Sequence, residues 1–345
     1  MNPSIARILD ANLNRSREAL RVMEDYARFV LDDPAGCEAL KGLRHDLAAA
    51  AARLPAQELL AARDTPGDVG TTLSTEAEGR RANAMAVAVA AAKRLTEALR
   101  TLEEYAKTFE ASAGAAFEAL RYRAYDLEQR LLLRGERSAR FAKTRLYVLI
   151  TADLCRGDWL ETAVQAINGG TDCLQLREKN LDGGELLARA RRLGALCREK
   201  GVLFIVNDRP DVAVLAGADG VHLGQSDLPL TDARRIVGPD RLIGLSTHTP
   251  EQLQQAIDAA PDYIAVGPMF DTATKPQGRV AGPDLLRLAT GHTNIPIAPI
   301  GGITTANAGI LVQVGAARLC VCSAVIASTD PEKAAAGLRA QVAAL

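Results

Sequence analysis

The sequence LYVLITAD, residues 146–153, decides between the two common folds that are built on a parallel β-sheet. Leu146–Ile150 is an unbroken apolar run of strand length, which is typical of a buried strand. A doubly wound open sheet would need a glycine-rich phosphate-binding turn after its first strand. Thr151-Ala152-Asp153 contains no glycine, so the stretch favours a barrel over the doubly wound sheet.

Short β-rich runs alternate with helical stretches over the rest of the chain. The predicted strands are Leu146–Ile150, Cys173–Leu176, Leu203–Val206, Gly220–Leu223, Leu242–Leu245, Tyr263–Val266, Ile295–Ile300 and Leu319–Val325. The predicted helices include Trp159–Ile167, Glu185–Lys200, Leu230–Val237 and Pro250–Ala259. Strands that alternate with helices in this number indicate an α/β fold, a (β/α)8 TIM barrel, over residues 145–345.

The first part of the chain, residues 1–135, has helical apolar spacing throughout and repeats itself. EALR at 18–21 and EDYAR at 24–28 recur as EALR at 97–100 and EEYAK at 103–107. A duplicated helical hairpin, packed as a bundle of four or five helices, accounts for the pattern. We expect the repeated Glu and Arg residues to form ion pairs, with a ligand pocket as the alternative. The charged residues 136–144 are predicted to link this domain to the barrel.

The charge balance and the cysteines indicate which classes of protein and which cellular compartment fit the chain. Lys and Arg total 41 against 42 Asp and Glu, which argues against a nucleic-acid or membrane-surface protein. The six cysteines fit neither a zinc site nor a disulfide scaffold, and so indicate a reducing compartment. Nothing near Met1 resembles a signal peptide, and the longest apolar run, Ala84–Ala92, is too short for a membrane span. We expect a cytoplasmic protein.

Polar residues at the ends of strands 2 to 4 predict an anion site with a metal. Gln175, Arg177 and Lys179 alternate along one strand end and so share a face. Two cations and an amide in the mouth of a barrel suit a phosphorylated group, although ion pairs with helix carboxylates remain an equal alternative. Asp208 and Asp227 follow adjacent strands, so their carboxylates are expected to lie close together. Two such carboxylates suffice to hold a Mg²⁺ that also binds phosphate oxygens. The alternative is that Asp208 pairs with Arg209 and that Asp227 caps the next helix.

The later strand ends predict a second, more neutral phosphate site. Ser246 can donate a hydrogen bond into the mouth, whereas His222 lies inside a strand and is expected to be a hydrogen-bonded core residue. Thr272, Thr274 and Lys275 form an anion clamp on the loop after strand 6, and this loop belongs with strands 2 to 4 to the charged site that suits a diphosphate. Glycines after strand 7 and backbone amides after strand 8 are typical of the barrel phosphate site, and its residues are Gly302, Cys322 and Ser323. The sequence thus predicts two anion sites and shows no catalytic base or nucleophile beside them. A site that holds two phosphorylated molecules and neutralises the charge on a departing diphosphate suits displacement of that diphosphate.

Seven motifs together resemble the thiamine phosphate synthase family over about residues 145–345. They are QLREK at 175–179, VNDR at 206–209, GVHLGQSD at 220–227, GLSTH at 244–248, GPMFDTATK at 267–275, IGGI at 300–303 and CSA at 322–324. The resemblance implies a transferase of thiamine biosynthesis that joins 4-amino-5-hydroxymethyl-2-methylpyrimidine diphosphate to a thiazole phosphate. Thiamine phosphate and diphosphate are the implied products.

The resemblance also implies roles for individual residues. Those implied to bind the pyrimidine diphosphate are Gln175, Arg177, Lys179, Asn207 and Lys275. Asp208 and Asp227 are implied to bind Mg²⁺. Those implied to bind the thiazole phosphate or product are Ser246, Thr272, Thr274, Gly302, Cys322 and Ser323. Lys275, Arg177 and Ser246 are the implied catalytic residues. Cys322 stands where the family commonly has Val or a similar apolar residue, which matters little if its backbone amide makes the contact.

Two rival functions and the role of the helical domain stay open on the sequence alone. A thiazole tautomerase shares the barrel but needs no diphosphate clamp, and a non-catalytic regulator of the thiamine pathway would not need complete motifs. The helical domain is an oligomerisation bundle, a channelling or ligand module, or a second enzyme. The expected partners are small-molecule substrates, with no nucleic acid and no membrane, and a homo-oligomer is left open.

Overall fold

The chain divides after Gly135 into two units, Met1–Gly135 and Glu136–Leu345. The structure is a computed structural model that describes residues 1–69, 80–272 and 280–342. Within the described part of residues 1–142, the helices are α1 Pro3–Phe29, α2 Pro34–Ala51, α3 Ala56–Ala61, α4 Ala84–Ala106 and α5 Ala111–Ala142. None of the helices in the described ranges combines the length and the apolar character that a membrane span needs.

The two helical hairpins of the first unit carry the sequence repeat. Helices α1 and α4 hold the two copies of EALR, while EAL at 38–40 in α2 recurs as EAL at 118–120 in α5. Helix α1 packs mainly against α4. Three of these helices begin at a side chain that accepts a backbone N–H, namely Asn2, Asp33 and Asn83. Such caps satisfy amides that have no partner within the helix. The duplicated hairpin predicted from the sequence is therefore the architecture of this unit.

Some of the repeated charged side chains of this unit form ion pairs, and other repeated charged side chains line a cavity. Glu103 is buried and accepts hydrogen bonds from Arg121 Nε at 2.8 Å, Arg100 Nη1 at 2.8 Å and Lys107 Nζ at 3.2 Å. Its repeat equivalent, Glu24, lies 3.7 Å from a guanidinium nitrogen of Arg44. A cavity of about 570 Å³ is lined by charged residues at repeat-equivalent positions, Arg15 and Arg94 together with Glu18 and Glu97.

The second unit is a barrel of eight parallel strands. The strands are β1 Leu146–Ile150, β2 Cys173–Leu176, β3 Leu203–Asn207, β4 Gly220–Leu223, β5 Leu242–Thr247, β6 Tyr263–Val266, β7 Ile297–Pro299 and β8 Leu319–Val321. Neighbours in sequence pair with one another, and β1 also pairs with β8. A parallel bridge between Ile300 and Cys320 joins the ends of β7 and β8 and closes the ring.

Helices follow the strands around the barrel. They are α6 Trp159–Asn168, α7 Gly183–Lys200, α8 Pro210–Leu215, α9 Leu230–Val237, α10 Pro250–Ala259, α11 Gly282–His292, α12 Ala308–Gln313, α13 Ser323–Ile326 and α14 Pro331–Val342. A short 3-10 turn, Ala152–Leu154, follows β1. The (β/α)8 prediction is therefore confirmed, with one correction. The run Leu319–Val325 is not a single strand, because β8 ends at Val321 and Ser323 begins a helix.

Alternation along the strands separates a small interior core from the outer layer. In β1, Tyr147 and Leu149 point into the barrel and pack with residues of the other strands. Leu146, Val148 and Ile150 point outward against the helices. Because successive side chains of a strand face opposite sides, a strand that is buried on both faces has no polar alternation. Leu146–Ile150 is apolar throughout for this reason.

The end of α5 belongs to the barrel unit and packs on its base. Residues 136–142, predicted as part of a linker, are helical. Arg137 Nε lies 2.9 Å from Asp262 Oδ1, and Arg140 Nη2 lies 2.5 Å from Asp219 Oδ1. Phe141 is fully buried in the interior core. The tail of α5 therefore closes the amino-terminal end of the barrel.

Three aspartates anchor the starts of the strands at this base. Asp172, Asp219 and Asp262 each directly precede an even-numbered strand. Each accepts a hydrogen bond from a backbone amide of the preceding odd-numbered strand, at 2.9 Å, 2.9 Å and 2.8 Å respectively. Amides that start a strand at the rim of a barrel otherwise lack a partner, so these carboxylates satisfy them.

Candidate active site

A cavity of about 1720 Å³ opens at the carboxyl ends of the barrel strands. This is the face at which barrel enzymes carry their active sites. The cavity brings together every candidate residue that the structure describes: Gln175, Arg177, Lys179, Asn207, Asp208, Asp227, Ser246, Thr272, Gly302, Cys322 and Ser323. Thr274 and Lys275 lie outside the described residues. Gln175 and Ser323, which lie 148 positions apart in sequence, thus share one rim.

Lys179 and two aspartates form a charged cluster on one side of the cavity. The Lys179 ammonium donates a hydrogen bond to Asp208 Oδ2. Asp227 Oδ2 accepts the backbone amide of Gly224 at 2.6 Å. Burial and a hydrogen bond with the neighbouring Asp208 carboxyl raise the pKa of Asp227. Two carboxyl groups this close repel each other when both are ionised, so a cation near them would be favoured.

The two alternative roles considered for these aspartates are not observed. Arg209 pairs with Asp211, through Nη2 to Oδ2 at 2.6 Å, rather than with Asp208. Helix α9 has Pro229 at its N-cap position and no side-chain cap, so Asp227 does not cap it. Asp208 has a left-handed backbone, with φ of +60°, and its amide donates to His222 O at 2.8 Å.

Asn207 presents a polar group that the described residues leave unsatisfied. Its Nδ2 is buried and has no hydrogen-bond partner. Buried amide groups without a hydrogen-bond partner are rare in native proteins, because a buried donor without a partner costs about 1–3 kcal/mol of stability. Since Asn207 lines the cavity, a ligand acceptor atom would satisfy this donor. Arg177 lies half-buried at the same rim, where its own amide donates to Ile150 O at 2.8 Å.

Gln175 and Ser246 are held by side chains inside the barrel. Gln175 is buried, and its Nε2 donates to the Tyr147 hydroxyl. Ser246 Oγ lies 2.8 Å from His222 Nε2, while His222 Nδ1 lies 3.0 Å from the Tyr263 hydroxyl. His222 is thus a buried, hydrogen-bonded core histidine, as its place inside a strand predicts. Tyr147 and Tyr263 were missed by the sequence analysis, because nothing local distinguishes them from other apolar strand residues.

The glycine pair after β7 forms a tight turn on the opposite side of the cavity. Gly301 and Gly302 have φ of +103° and +64°. A Cβ on Gly302 would lie 2.4 Å from the carbonyl oxygen of Asp271. The Asn307 side chain fixes the turn, because its Nδ2 donates to Gly302 O at 2.8 Å. Only glycine fits this position without strain, so backbone rather than side chains faces the cavity there.

Cys322 and Ser323 mark the start of the short helix after β8. Burial raises the pKa of the Cys322 thiol to about 11, although the charge of Arg177 acts in the opposite direction. A thiol with this pKa is almost fully protonated near neutral pH. The Cys322 thiol is therefore a weaker nucleophile near neutral pH than an ordinary cysteine. Among the residues that the structure describes, no three His, Cys, Asp or Glu side chains are grouped to hold a metal by themselves.

A closed parallel barrel with a charged cavity at the carboxyl ends of its strands defines a (β/α)8-barrel enzyme. Residues 146–325 match the family model described as thiamine monophosphate synthase, and residues 7–130 match the ThiD2 family model. The thiamine-phosphate synthase of Synechocystis is 42% identical over 340 residues, covering 98% of this chain and 96% of that protein. Its counterpart in Thermosynechococcus vestitus is 44% identical, covering 95% of this chain and 92% of that protein.

A solved structure of a similar enzyme matches the barrel unit. The thiamine phosphate pyrophosphorylase from Pyrococcus furiosus is 35% identical, with a TM-score of 0.55, and the match covers 59% of this chain and 97% of that one. The chain belongs to the thiamine-phosphate synthase family. It is a transferase, and the helical unit is shared with the full-length relatives, since they match nearly the whole chain.

Proposed function

We propose that the cavity joins an aminopyrimidine methyl diphosphate to a thiazole phosphate and releases diphosphate. The observation that carries this proposal is the meeting, in one cavity, of a cationic and carboxylate cluster with a glycine-lined turn. The family supports the overall reaction. The roles given below to single residues, and the restriction of the activity to the barrel unit, are parts of the proposal.

The diphosphate binds at Arg177, Lys179 and Asn207. The two cations offset the charge that grows on the leaving group, and the unpartnered Asn207 amide donates to one of its oxygens. Gln175 binds the aminopyrimidine, because an amide can accept from its amino group and donate to its ring nitrogen. Lys275 and Thr274 complete the clamp in this proposal.

The thiazole phosphate binds on the other side, at the Gly302 turn and the Cys322–Ser323 backbone. Neutral amides suit a monophosphate, since they donate without adding a second positive charge. Ser246 and Thr272 donate to the thiazole half or to the product. This arrangement keeps the two phosphorylated groups at separate parts of the cavity.

The residues Asp208 and Asp227 fit a magnesium ion. Mg²⁺ usually takes one or two carboxylates and fills its remaining positions with phosphate oxygens and water, so two carboxylates suffice. Burial and the neighbouring Asp208 carboxyl raise the pKa of Asp227, and a bound cation would favour the ionised pair. When bound, Mg²⁺ supplies charge that stabilises diphosphate as a leaving group.

The reaction is a displacement at the methylene carbon of the pyrimidine. The carbon–oxygen bond to diphosphate breaks, the diphosphate leaves with the electron pair, and the thiazole nitrogen donates its lone pair to form the carbon–nitrogen bond. The nitrogen carries no proton, so no protein base is required. The protein contributes charge neutralisation and positioning, and positioning alone can be worth about 7–11 kcal/mol of the barrier.

Diphosphate release tests this proposal directly. The full chain is incubated with both substrates and Mg²⁺, and we expect diphosphate release that stops on addition of EDTA. A tautomerase or a non-catalytic regulator would release none. Release that is unchanged by excess EDTA would contradict the metal assignment.

The variant Asp208→Asn tests the carboxylate pair. We expect turnover to fall by about 10²–10³-fold, the scale for losing one preorganised electrostatic group, and the Mg²⁺ requirement to rise. Asp211→Asn is the matched control, because Asp211 is exposed and pairs with Arg209 outside the cavity. Wild-type turnover in Asp208→Asn would overturn the assignment. Lys275→Ala is expected to show a loss of the same order.

We also propose a cytoplasmic location. The support is chemical, because all six cysteines are unpaired thiols.

A further inference from the structure

A continuous chain of side-chain hydrogen bonds crosses the interior of the barrel from Gln175 to Ser246. Gln175 Nε2 donates to the hydroxyl of Tyr147, which lies 3.0 Å from the hydroxyl of Tyr263. That hydroxyl lies 3.0 Å from His222 Nδ1, and His222 Nε2 lies 2.8 Å from Ser246 Oγ. We call these five residues the relay. Its two ends line the active-site cavity, three strands apart in the sheet, and Tyr147 and His222 between them also line it.

Packing fixes the middle of the relay in place. Tyr147 and Tyr263 are almost completely buried. Phe141 stacks on the Tyr263 ring with centroids 3.9 Å apart, and the His222 ring also stacks on Tyr263 with centroids 5.5 Å apart. In a closely packed interior, the rings cannot turn their polar atoms to other partners. Each hydroxyl therefore serves the two relay neighbours on either side.

The relay has two self-consistent arrangements of its protons. A hydroxyl carries one proton, and a neutral imidazole donates at one nitrogen and accepts at the other. If the Gln175 amide donates to Tyr147, every link donates in the same direction, and His222 Nε2 donates to Ser246. If the Gln175 amide oxygen accepts instead, every link reverses, and Ser246 donates to His222.

The two arrangements present opposite groups to the cavity. In the first, Gln175 presents its amide oxygen and Ser246 keeps its own proton free to donate to a ligand. In the second, Gln175 presents its amide nitrogen, and the Ser246 oxygen can only accept. The state of one end therefore determines the state of the other, although the two residues do not touch.

We propose that the relay couples the two halves of the active site, so that recognition of the aminopyrimidine by Gln175 sets Ser246 as a hydrogen-bond donor. An exocyclic amino group needs an acceptor, which selects the first arrangement. In this role Tyr147, Tyr263 and His222 are positioning residues, which act through Gln175 and Ser246. The inference rests on the proposed binding of the pyrimidine by Gln175.

Double-mutant cycles in the full chain test the coupling. The variants Gln175→Ala, Ser246→Ala and the double variant are compared by kcat/KM for the pyrimidine diphosphate, measured as diphosphate release. In the wild-type background we expect the combined loss to differ from the product of the single losses by at least about threefold, as for directly coupled residues. In the Tyr263→Phe background we expect the combined loss in kcat/KM to equal the product of the single losses within about twofold. The reason is that Tyr263→Phe removes one hydroxyl and interrupts the relay.

Two further backgrounds separate the relay from general damage to the barrel. Tyr147→Phe interrupts the relay at a different link and is expected to abolish the coupling as Tyr263→Phe does. Thr247→Val is the matched control, because Thr247 is fully buried and its hydroxyl donates to Ala265 O at 3.1 Å outside the relay. We expect the coupling to persist in Thr247→Val.

The outcomes distinguish failure of the relay from failure of the proposed function. Coupling that is absent in the wild type, or that survives both tyrosine substitutions, overturns the relay while leaving the substrate roles intact. If Gln175→Ala alone has wild-type kcat/KM, the proposed pyrimidine role fails and the relay fails with it.

Discussion

Phe141 stacks on Tyr263, with ring centroids 3.9 Å apart and an angle of 11° between the ring planes. Phe141 lies in the last turn of α5, and Tyr263 begins β6, so the contact joins the end of a long helix to the interior of the barrel. Arg318 adds a guanidinium over the Phe141 ring at 5.7 Å and donates to Ile297 O at 2.9 Å. The base of the barrel is therefore filled by a residue that is not part of the barrel strands.

Replacing Phe141 should destabilise the barrel strongly. We expect Phe141→Ala to lower the free energy of unfolding by about 3–5 kcal/mol, the usual cost of removing a buried aromatic ring. Trp159 is the single tryptophan of the chain and is buried on α6, so its fluorescence during urea unfolding reports on this unit. Leu215→Ala is the control, since Leu215 lies on α8 of the same unit, is 59% exposed and should lose no more than about 0.5 kcal/mol. Equal losses in both variants would contradict the packing role.

The turn at Gly302 makes a second prediction, on substrate binding. An alanine there meets both a left-handed backbone and the carbonyl oxygen of Asp271. Left-handed backbone alone costs about 1–2 kcal/mol for a residue with a Cβ. We expect Gly302→Ala to raise KM for the thiazole phosphate by about tenfold or more, with a smaller effect on KM for the pyrimidine diphosphate, as steady-state kinetics would show.

Gly291→Ala is the matched control for the glycine turn. A Cβ at Gly291 meets no atom within 4 Å, and the residue lies in α11. Alanine is the better helix former by about 0.5–1 kcal/mol, so this variant should keep its kinetics. A thiazole phosphate KM that rises equally in both variants would show that the turn has no special role.

The barrel was predictable because its strands are local signals. The apolar runs Cys173–Leu176 and Tyr263–Val266 stand between turn residues, and the structure has strands with those limits. The prediction of one strand over Leu319–Val325 was wrong. Val321 and Val325 are β-branched, which favours a strand, whereas the chain turns at Cys322 and continues as a helix. Propensity alone does not detect such a turn.

The candidate site was predictable at the strand ends but not inside the barrel. Parallel strands in a barrel end at one rim, so polar residues after each strand must meet there. The contact between Tyr147 and Tyr263 joins residues 116 positions apart and arises only when the ring closes. The packing of Phe141 was missed for a related reason, since a charged stretch such as 136–144 is typical of a linker and shows its buried residue only in three dimensions.

Cys322 should be an inert residue despite its place in the cavity. Its pKa of about 11, against an ordinary 9.0, leaves about a hundredfold less thiolate near neutral pH than a free cysteine has. We expect iodoacetamide to label Cys322 at least about a hundredfold more slowly than free cysteine, as measured by peptide mass spectrometry. Cys322→Val should keep kcat/KM within about twofold, because the swap changes little volume. Rapid labelling of Cys322 or loss of activity in the valine variant would show that the thiol takes part.

Asp227 should reduce stability while it supports activity. A carboxyl group whose pKa is raised by folding destabilises the folded state above that raised value, and has no such effect below its ordinary value of 3.8. Without divalent cations, Asp227→Asn should therefore resist urea better than the wild type at neutral pH. The difference should shrink as the pH falls through the raised pKa. Mg²⁺ should reverse the order, since binding at a hundred times the dissociation constant stabilises the wild type by about 2.7 kcal/mol.

Asp211→Asn provides a control of opposite sign for this prediction. A hydrogen bond from Arg209 lowers the pKa of Asp211, so its charge stabilises the fold above the ordinary value of 3.8 and loses that effect as the pH falls through the lowered pKa. This variant should be slightly less stable than the wild type at neutral pH, by less than about 1 kcal/mol, and indifferent to Mg²⁺. Suppose instead that Asp227→Asn and Asp211→Asn had the same stability at every pH, with and without Mg²⁺. Asp208 and Asp227 would then not form a pair of repelling carboxylates that binds a cation.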